Sequence, residues 1–132
     1  MCFAVNSFSQ SSFILKNGEK KETTYFKLLS NLIVFPMEVN GKKLNFILDS
    51  GVGKTILFNL NKNDSIPLHN VEKIKLQGLG SEDAIDAVLS KKNTFKLNNL
   101  IGVDQSLYVI FDENFDLSSK LGITIHGIIG YR

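Results

Sequence analysis

The chain has 132 residues, of which 43% are apolar and 21% are charged, and its formal net charge is +2. These values favour one folded domain with a hydrophobic core, and they exclude two ordinary domains or a disordered chain. The lysines occur in pairs spread along the sequence rather than in one basic tract, which argues against a nucleic-acid partner.

The N-terminal region carries two predictions. Residues 1–11 are apolar and then small and polar, which is typical of the remnant of a secretory signal peptide or of a disordered N-terminus. The first possibility predicts an exported protein, periplasmic or secreted. Residues 12–132 form the predicted domain. Within it, Asn17-Gly18 separates an apolar run from a stretch rich in lysine and glutamate, so we expect a hairpin over residues 12 to about 26.

A second hairpin is the clearest structural prediction. Asn40-Gly41 separates the apolar runs 32–39 and 43–48, and Asn-Gly is strongly favoured in two-residue hairpin turns. Pro36 has no N–H to donate to a neighbouring strand, so we expect it at a bulge or on an unpaired edge. The two runs therefore predict a pair of adjacent antiparallel strands.

Shorter elements complete the predicted fold. They comprise a hairpin with a glycine-rich tip, several short strands and one capped helical turn closed by glycine. In chain order they are a strand at 55–58, the hairpin at 72–77 and 84–89, strands at 95–97 and 107–111, and the helical turn at 116–122. No apolar run is long enough to span a bilayer. The sequence thus predicts a mostly β domain with little helix.

One segment bears directly on function, because the apolar run 46–48 is followed by Asp49, Ser50 and Gly51. A carboxylate held between a strand and a glycine turn suits proton chemistry. Its position is fixed, and the missing side chain of the glycine leaves room for a substrate. Asp49 is therefore the candidate catalytic residue.

The same segment also approaches the pattern of a phosphate-binding loop, in which a glycine-rich backbone precedes a lysine and a hydroxyl residue, here Lys54 and Thr55. Such a loop leads into a long helix, whereas residues 55–60 are rich in β-forming residues. Leu48 also occupies the place of the first glycine of the pattern. A nucleotide-binding domain is therefore a distant alternative.

Two separate motifs resemble those of a known family. Residues 47–52, together with Thr55, resemble the active-site signature of the retropepsin-like aspartic proteases. Ile128-Ile129-Gly130 resembles the later hydrophobic-hydrophobic-glycine motif of that family, which packs beneath the catalytic loop. The tip Gly78-Leu79-Gly80 falls between the two motifs, where the family has its flap. The resemblance covers roughly residues 30–132 and is nearest to the bacterial branch in which a PDZ module often follows.

The resemblance implies a small closed barrel of the acid-protease type, with a flap hairpin, that acts as an aspartic endopeptidase. In this family two aspartates hold a water and share one proton, so that one activates the water and the other polarises the peptide carbonyl. Because the chain contains one Asp-Ser-Gly, a homodimer is implied in which each subunit contributes Asp49. Ser50 would bond across the twofold axis, Gly51 would admit the substrate backbone, and Thr55 would brace the loop. No metal or other cofactor is implied.

The end of the chain departs from the family. The family continues with a short helix and a terminal strand, whereas this sequence ends at Arg132, so we expect a domain truncated at its C-terminus with a peptide or protein substrate. A catalytically inactive domain of the same fold, serving in binding or interaction, is the main alternative. Cys2 stands alone, and His69 and His126 have no neighbouring ligands, so no structural metal is expected. We expect His126 to be a structural or surface residue.

Overall fold

The computed structural model describes residues 12–18, 21–58, 66–77, 83–111 and 117–130. These residues form nine strands, a 3-10 turn at Lys16–Gly18 and one short helix, α1, at Ser118–Leu121. The strands are β1 Ser12–Leu15, β2 Lys27–Leu29, β3 Leu32–Val39, β4 Lys42–Asp49, β5 Ile56–Leu57, β6 Val71–Leu76, β7 Ile85–Leu97, β8 Leu100–Ile110 and β9 Gly127–Gly130. The described chain is mostly β with little helix, which confirms the prediction from the sequence. None of its helices is long and apolar enough to cross a membrane.

Six of the strands close into a barrel. Around the ring the order is β3, β4, β9, β5, β8 and β7, and the ring closes where the end of β3 pairs with Phe95 and Lys96 of β7. β1 pairs with the first residues of β8, β2 with the start of β3, and β6 with the first half of β7, so these three strands lie outside the ring. Closure therefore depends on contacts between residues far apart in the sequence.

Side chains on the two faces of the barrel wall enter different hydrophobic cores. Phe35 of β3 and Phe46 of β4 belong to one core, inside the barrel. Their neighbours Val34 and Ile47 belong to a second core outside the barrel wall, against which Leu121 of α1 packs. Because both faces are buried, these strands are continuous apolar runs rather than alternating ones.

The predictions that depend on local turn chemistry are confirmed. β3 and β4 pair antiparallel through a turn in which Asn40 has φ 50° and Gly41 has φ 86°. Asparagine and glycine tolerate this left-handed backbone, which a two-residue turn of this type requires. β6 and β7 form the second predicted hairpin, paired as far as Leu76 with Ile85. The predicted helical turn is α1, and Gly122 ends it with φ 74°. The cap predicted at its start is wrong, because the N-cap residue is Leu117 and no side chain forms a capping hydrogen bond there.

Other predicted strands are wrong in their partner or their extent. The hairpin predicted over residues 12–26 does not form, because β1 pairs with β8 and residues 21–26 contain no strand. The strands predicted at 95–97 and 107–111 are parts of β7 and β8, which are much longer. Polar residues interrupt the apolar pattern of both strands, so that local periodicity shows only their apolar ends.

A buried hydrogen-bond network lies where β7 shifts register against β8. Asn93 is fully buried, and its amide donates to Ser90 Oγ (3.0 Å) and to the Gln105 carbonyl oxygen (3.2 Å). Its Oδ1 accepts from Asn40 Nδ2 (2.8 Å). Ser90 Oγ in turn donates to the His69 carbonyl oxygen (2.6 Å) and accepts from the His69 N–H (3.1 Å). The network therefore ties the β3–β4 turn and the approach to β6 to the centre of β7.

Candidate active site

The two motifs of the sequence meet in one part of the sheet. β9 lies between β4 and β5, parallel to β4 and antiparallel to β5. Asp49, the last residue of β4, is opposite Gly130, the last residue of β9, and Leu48 is opposite Ile129. Ile128 lies on the other face of β9, in the core outside the barrel. The structure thus brings the strand that ends in Gly130 directly beside the strand that ends in Asp49.

Gly130 packs against the turn that follows Asp49. A Cβ atom at Gly130 would lie 1.6 Å from the carbonyl oxygen of Val52 and 3.3 Å from the backbone nitrogen of Lys54. Real Cβ atoms essentially never show contacts under 3.0 Å, so no side chain fits here without displacing the turn. The backbone of β9 therefore packs directly against the turn. The absence of a side chain at Gly130 allows the turn to approach β9 this closely.

The Asp49 carboxylate is exposed and is oriented by its own turn. Its Oδ1 accepts a hydrogen bond from the Gly51 N–H (2.9 Å), and the Val52 N–H donates to the Asp49 carbonyl oxygen (3.3 Å). An aspartate that accepts from the backbone two residues ahead stabilises a turn through its side chain. Ser50 and Gly51 are exposed as well, so a substrate or a second carboxylate can approach Asp49.

Thr55 supports the turn through its backbone. Its carbonyl oxygen accepts from the Tyr108 N–H (2.9 Å), which joins this segment to β8 just before β5 begins. Within the described residues the Thr55 hydroxyl has no hydrogen-bond partner. Lys54 Nζ lies 5.9 Å from the centroid of the Tyr108 ring, within the range of a cation–π contact. Tyr108 is therefore a neighbour of the turn that the sequence patterns do not reveal.

The backbone after the turn differs from that of a phosphate-binding loop. Such a loop leads into a helix whose first amides complete the anion site. Here β5 begins at Ile56, immediately after Thr55, and pairs with β8 and β9. The arrangement of residues 52–58 thus does not favour the nucleotide-binding alternative. The predicted flap tip, Gly78-Leu79-Gly80, lies outside the described residues, between β6 and β7 in the sequence.

An apolar row crosses four strands beside Asp49. Leu28 of β2 is opposite Ile33 of β3, Ile33 is opposite Leu48 of β4, and Leu48 is opposite Ile129 of β9. Residues that face each other across paired strands lie on the same face of the sheet, so these four side chains form one continuous row. Leu28 is 64% exposed and Leu48 is 47% exposed. Apolar surface thus remains open to solvent next to the candidate catalytic residue.

His126 holds the approach to β9 against β4. Its N–H donates to the Asn45 carbonyl oxygen (2.9 Å), and its Nδ1 accepts from the Asn45 N–H (3.1 Å). Its own carbonyl oxygen accepts from the Phe58 N–H (2.8 Å). An imidazole nitrogen that accepts a backbone N–H carries no proton, so Nδ1 here replaces a main-chain acceptor. This structural role agrees with the expectation from the sequence.

No family model matches the chain, and no curated protein matches it. In the part of the chain that the structure describes, no group of three or more histidine, cysteine, aspartate or glutamate side chains is placed to hold a metal ion. The aspartic-protease interpretation thus depends on the sequence motifs and on the geometry around Asp49.

Proposed function

We propose that the protein is an aspartic endopeptidase that acts as a homodimer, with one Asp49 from each subunit. The observation that carries the proposal is the position of Asp49, an exposed carboxylate at the end of β4 whose turn packs on the backbone of Gly130. Strand and glycine contact both restrict the turn, so the carboxylate is held in place before a substrate arrives. The resemblance to the retropepsin-like signature supplies the reaction that this arrangement would serve.

One copy of Asp49 supplies half of the required machinery. In this chemistry one carboxylate takes a proton from water while a second, protonated carboxyl polarises the peptide carbonyl and later passes a proton to the leaving nitrogen. A twofold axis relates the two copies of each residue, so the two Asp49 carboxylates would meet if the turn that carries them lies beside that axis. Two carboxylates in close contact share one proton, because both cannot ionise cheaply. The proposed enzyme therefore cleaves best below neutral pH.

The apolar row gives the proposed dimer a surface to bury. Complete burial of a leucine side chain contributes about 1.5 to 3 kcal/mol, so covering the exposed parts of Leu28 and Leu48 would favour association. Leu48 immediately precedes Asp49 in β4. A contact made by Leu48 with a second subunit would therefore bring the ends of the two β4 strands, each of which carries Asp49, close to the axis.

Peptide cleavage tests the proposal. Extended peptides with two large apolar residues at the centre are incubated with the protein from about pH 4 to 7, and products are identified by mass spectrometry. We expect Asp49→Asn to abolish cleavage and Asp104→Asn to retain it. Asp104 is an exposed aspartate on β8 with φ 52°, a backbone conformation that asparagine tolerates, so it controls for loss of a surface charge.

The other outcomes separate the alternatives. Cleavage that survives in Asp49→Asn would remove this residue from the mechanism. A folded dimer that binds the peptide but leaves it intact would favour the inactive binding domain. Saturable nucleotide binding that is lost in Lys54→Ala would favour the phosphate-loop alternative.

A further inference from the structure

A groove with several lysines lies on the outer face of β3 and β4. It has a volume of about 600 Å³, and an adjoining hollow of about 340 Å³ shares Thr24, Pro36, Lys43 and Asn98 with it. We call the two together the lysine groove. Volumes of this size are typical of sites for small ligands or short peptide segments.

The groove exists because one edge of β3 is left without a partner in the middle of the strand. β2 pairs with β3 only as far as Val34, and β7 pairs with it from Glu38 onward. Pro36 lies in this gap and pairs only with Asn45 of β4, as expected for a residue without an N–H. Since Pro36 cannot donate to an added strand, a ligand in the groove would be held mainly by side chains.

The outer wall of the groove is fixed to the rest of the fold. Residues 24–27 form this wall, and residues 24–26, which precede β2, have no strand partner. Asn98 Nδ2 donates to the Thr23 carbonyl oxygen (2.9 Å), and the Asn99 N–H donates to Glu22 Oε2 (3.1 Å). Both bonds connect residues 22 and 23, which directly precede the wall, to the β7–β8 turn, so the groove is formed before a ligand binds.

The charges in the groove favour an anionic ligand. Lys27 and Lys43 line it and are exposed, and neither forms an ion pair with any described carboxylate. Glu38 is opposite Lys43 in β4 and opposite Lys96 in β7, so it partly offsets the charge of these two lysines but not that of Lys27. The end near Lys27 therefore remains positive.

Two asparagine side chains add acceptors that a peptide can use. Asn45 Nδ2 donates to the Thr124 carbonyl oxygen (2.9 Å), and Asn98 Nδ2 donates to that of Thr23. These bonds fix the amide orientation and leave each Oδ1 without a donor among the described residues. Peptide N–H groups could donate hydrogen bonds to these two oxygens, whereas the phosphates of a nucleic acid carry no hydrogen-bond donor.

Aromatic side chains at the mouth of the groove supply an apolar contact. Tyr25 is 94% exposed and Phe26 is 58% exposed, and both line the groove. Together with Pro36 and Ile123 they offer an apolar surface beside the lysines. The lining thus combines ammonium groups, amide acceptors and rings within one hollow.

We propose that the lysine groove binds an extended peptide segment in which acidic residues alternate with large apolar ones. Carboxylates pair with Lys27 and Lys43, backbone N–H groups donate to the asparagine oxygens, and the apolar side chains pack on Tyr25 and Phe26. The proposal does not depend on catalysis at Asp49, because none of these residues belongs to the Asp49 turn.

The test uses the peptide acetyl-Ala-Glu-Leu-Glu-Phe-Ala-amide with the full chain carrying Asp49→Asn, so that binding is measured without cleavage. Amide chemical shifts of the labelled protein are followed by NMR during titration. We expect the shifts to concentrate at Lys43, Asn45 and Asn98. Lys27→Ala and Lys43→Ala should each weaken binding about twofold to fivefold, and Lys43→Arg should retain it. The control Lys73→Ala, an exposed lysine on β6 away from the groove, should not change it.

Three results would overturn the proposal. One is that a peptide with glutamine in place of both glutamates binds as tightly as the original peptide. Another is an effect of Lys73→Ala as large as that of Lys43→Ala, which would indicate a general charge effect. The third is tighter binding of single-stranded oligothymidylate with the same dependence on Lys43, which would assign the groove to nucleic acid. Added salt should weaken the expected complex, because its ion pairs are exposed.

Discussion

Replacing Gly130 with alanine tests whether β9 positions the Asp49 turn. The new Cβ atom would lie 1.6 Å from the Val52 carbonyl oxygen, and a tolerable contact begins near 3.0 Å. The turn and β9 must therefore separate by about 1.4 Å, the difference between these distances, and both contacting groups are backbone that cannot rotate away. Overpacking costs about 1 to 3 kcal/mol, and we expect the upper end here because no side chain can yield.

Urea unfolding measures this loss in the purified variant. A cost of about 3 kcal/mol lowers the urea midpoint by roughly 1 to 3 M, since small proteins lose about 1 to 3 kcal/mol of stability per molar urea. Gly53→Ala is the matched control in the same turn. A Cβ atom there meets nothing within 4 Å, so its stability should change by no more than about 0.5 kcal/mol.

The two variants also separate positioning from stability. Under conditions where both are folded, Gly130→Ala should cleave peptide far more slowly than Gly53→Ala, because only the first displaces the turn that carries Asp49. Equal urea midpoints for the two variants would refute the reasoning. They would mean that the turn does not pack on β9 as closely as the structure describes.

Three further substitutions address other parts of the molecule. Asn93→Ala should cost about 2 to 4 kcal/mol in urea unfolding, because it removes the hydrogen bonds that this buried amide forms with Asn40, Ser90 and the Gln105 carbonyl oxygen. The exposed Asn99→Ala should cost little, and similar losses in both variants would contradict the network. His126→Ala should cost about 1 to 2 kcal/mol by removing the acceptor for the Asn45 N–H, while cleavage per folded molecule persists. Leu48→Glu should give a folded monomer by sedimentation, and an unchanged dimer would exclude Leu48 from the interface.

Local chemistry explains which parts of the fold the sequence predicts. The Asn40-Gly41 turn needs left-handed backbone at two positions, and few other dipeptides supply it, so the β3–β4 hairpin is readable from the residues alone. The end of α1 can be predicted for the same reason, since Gly122 ends the helix in a left-handed conformation. Neither feature depends on the rest of the chain.

Features that depend on contacts with residues far away in the sequence cannot be predicted from local residues. Nothing in residues 12–15 indicates that they pair with β8 instead of the segment that follows them. The centre of β7 is polar and resembles a loop, yet it is a strand because Ser90 and Asn93 are satisfied by a network that includes the approach to β6. The exposed groove beside Pro36 likewise arises from where two other strands stop pairing.

The candidate site combines both kinds of information. The sequence motifs point to Asp49 and Gly130 as residues of the candidate site. Their adjacency, however, follows from the position of β9 between β4 and β5, which the closed barrel produces. Described residues of one copy form both cores and the ring of six strands, so we expect a single chain to fold without a partner. Folding and assembly of the proposed dimer are therefore separable. On dilution, cleavage should fall because the carboxylate pair is lost, while the separated chains remain folded.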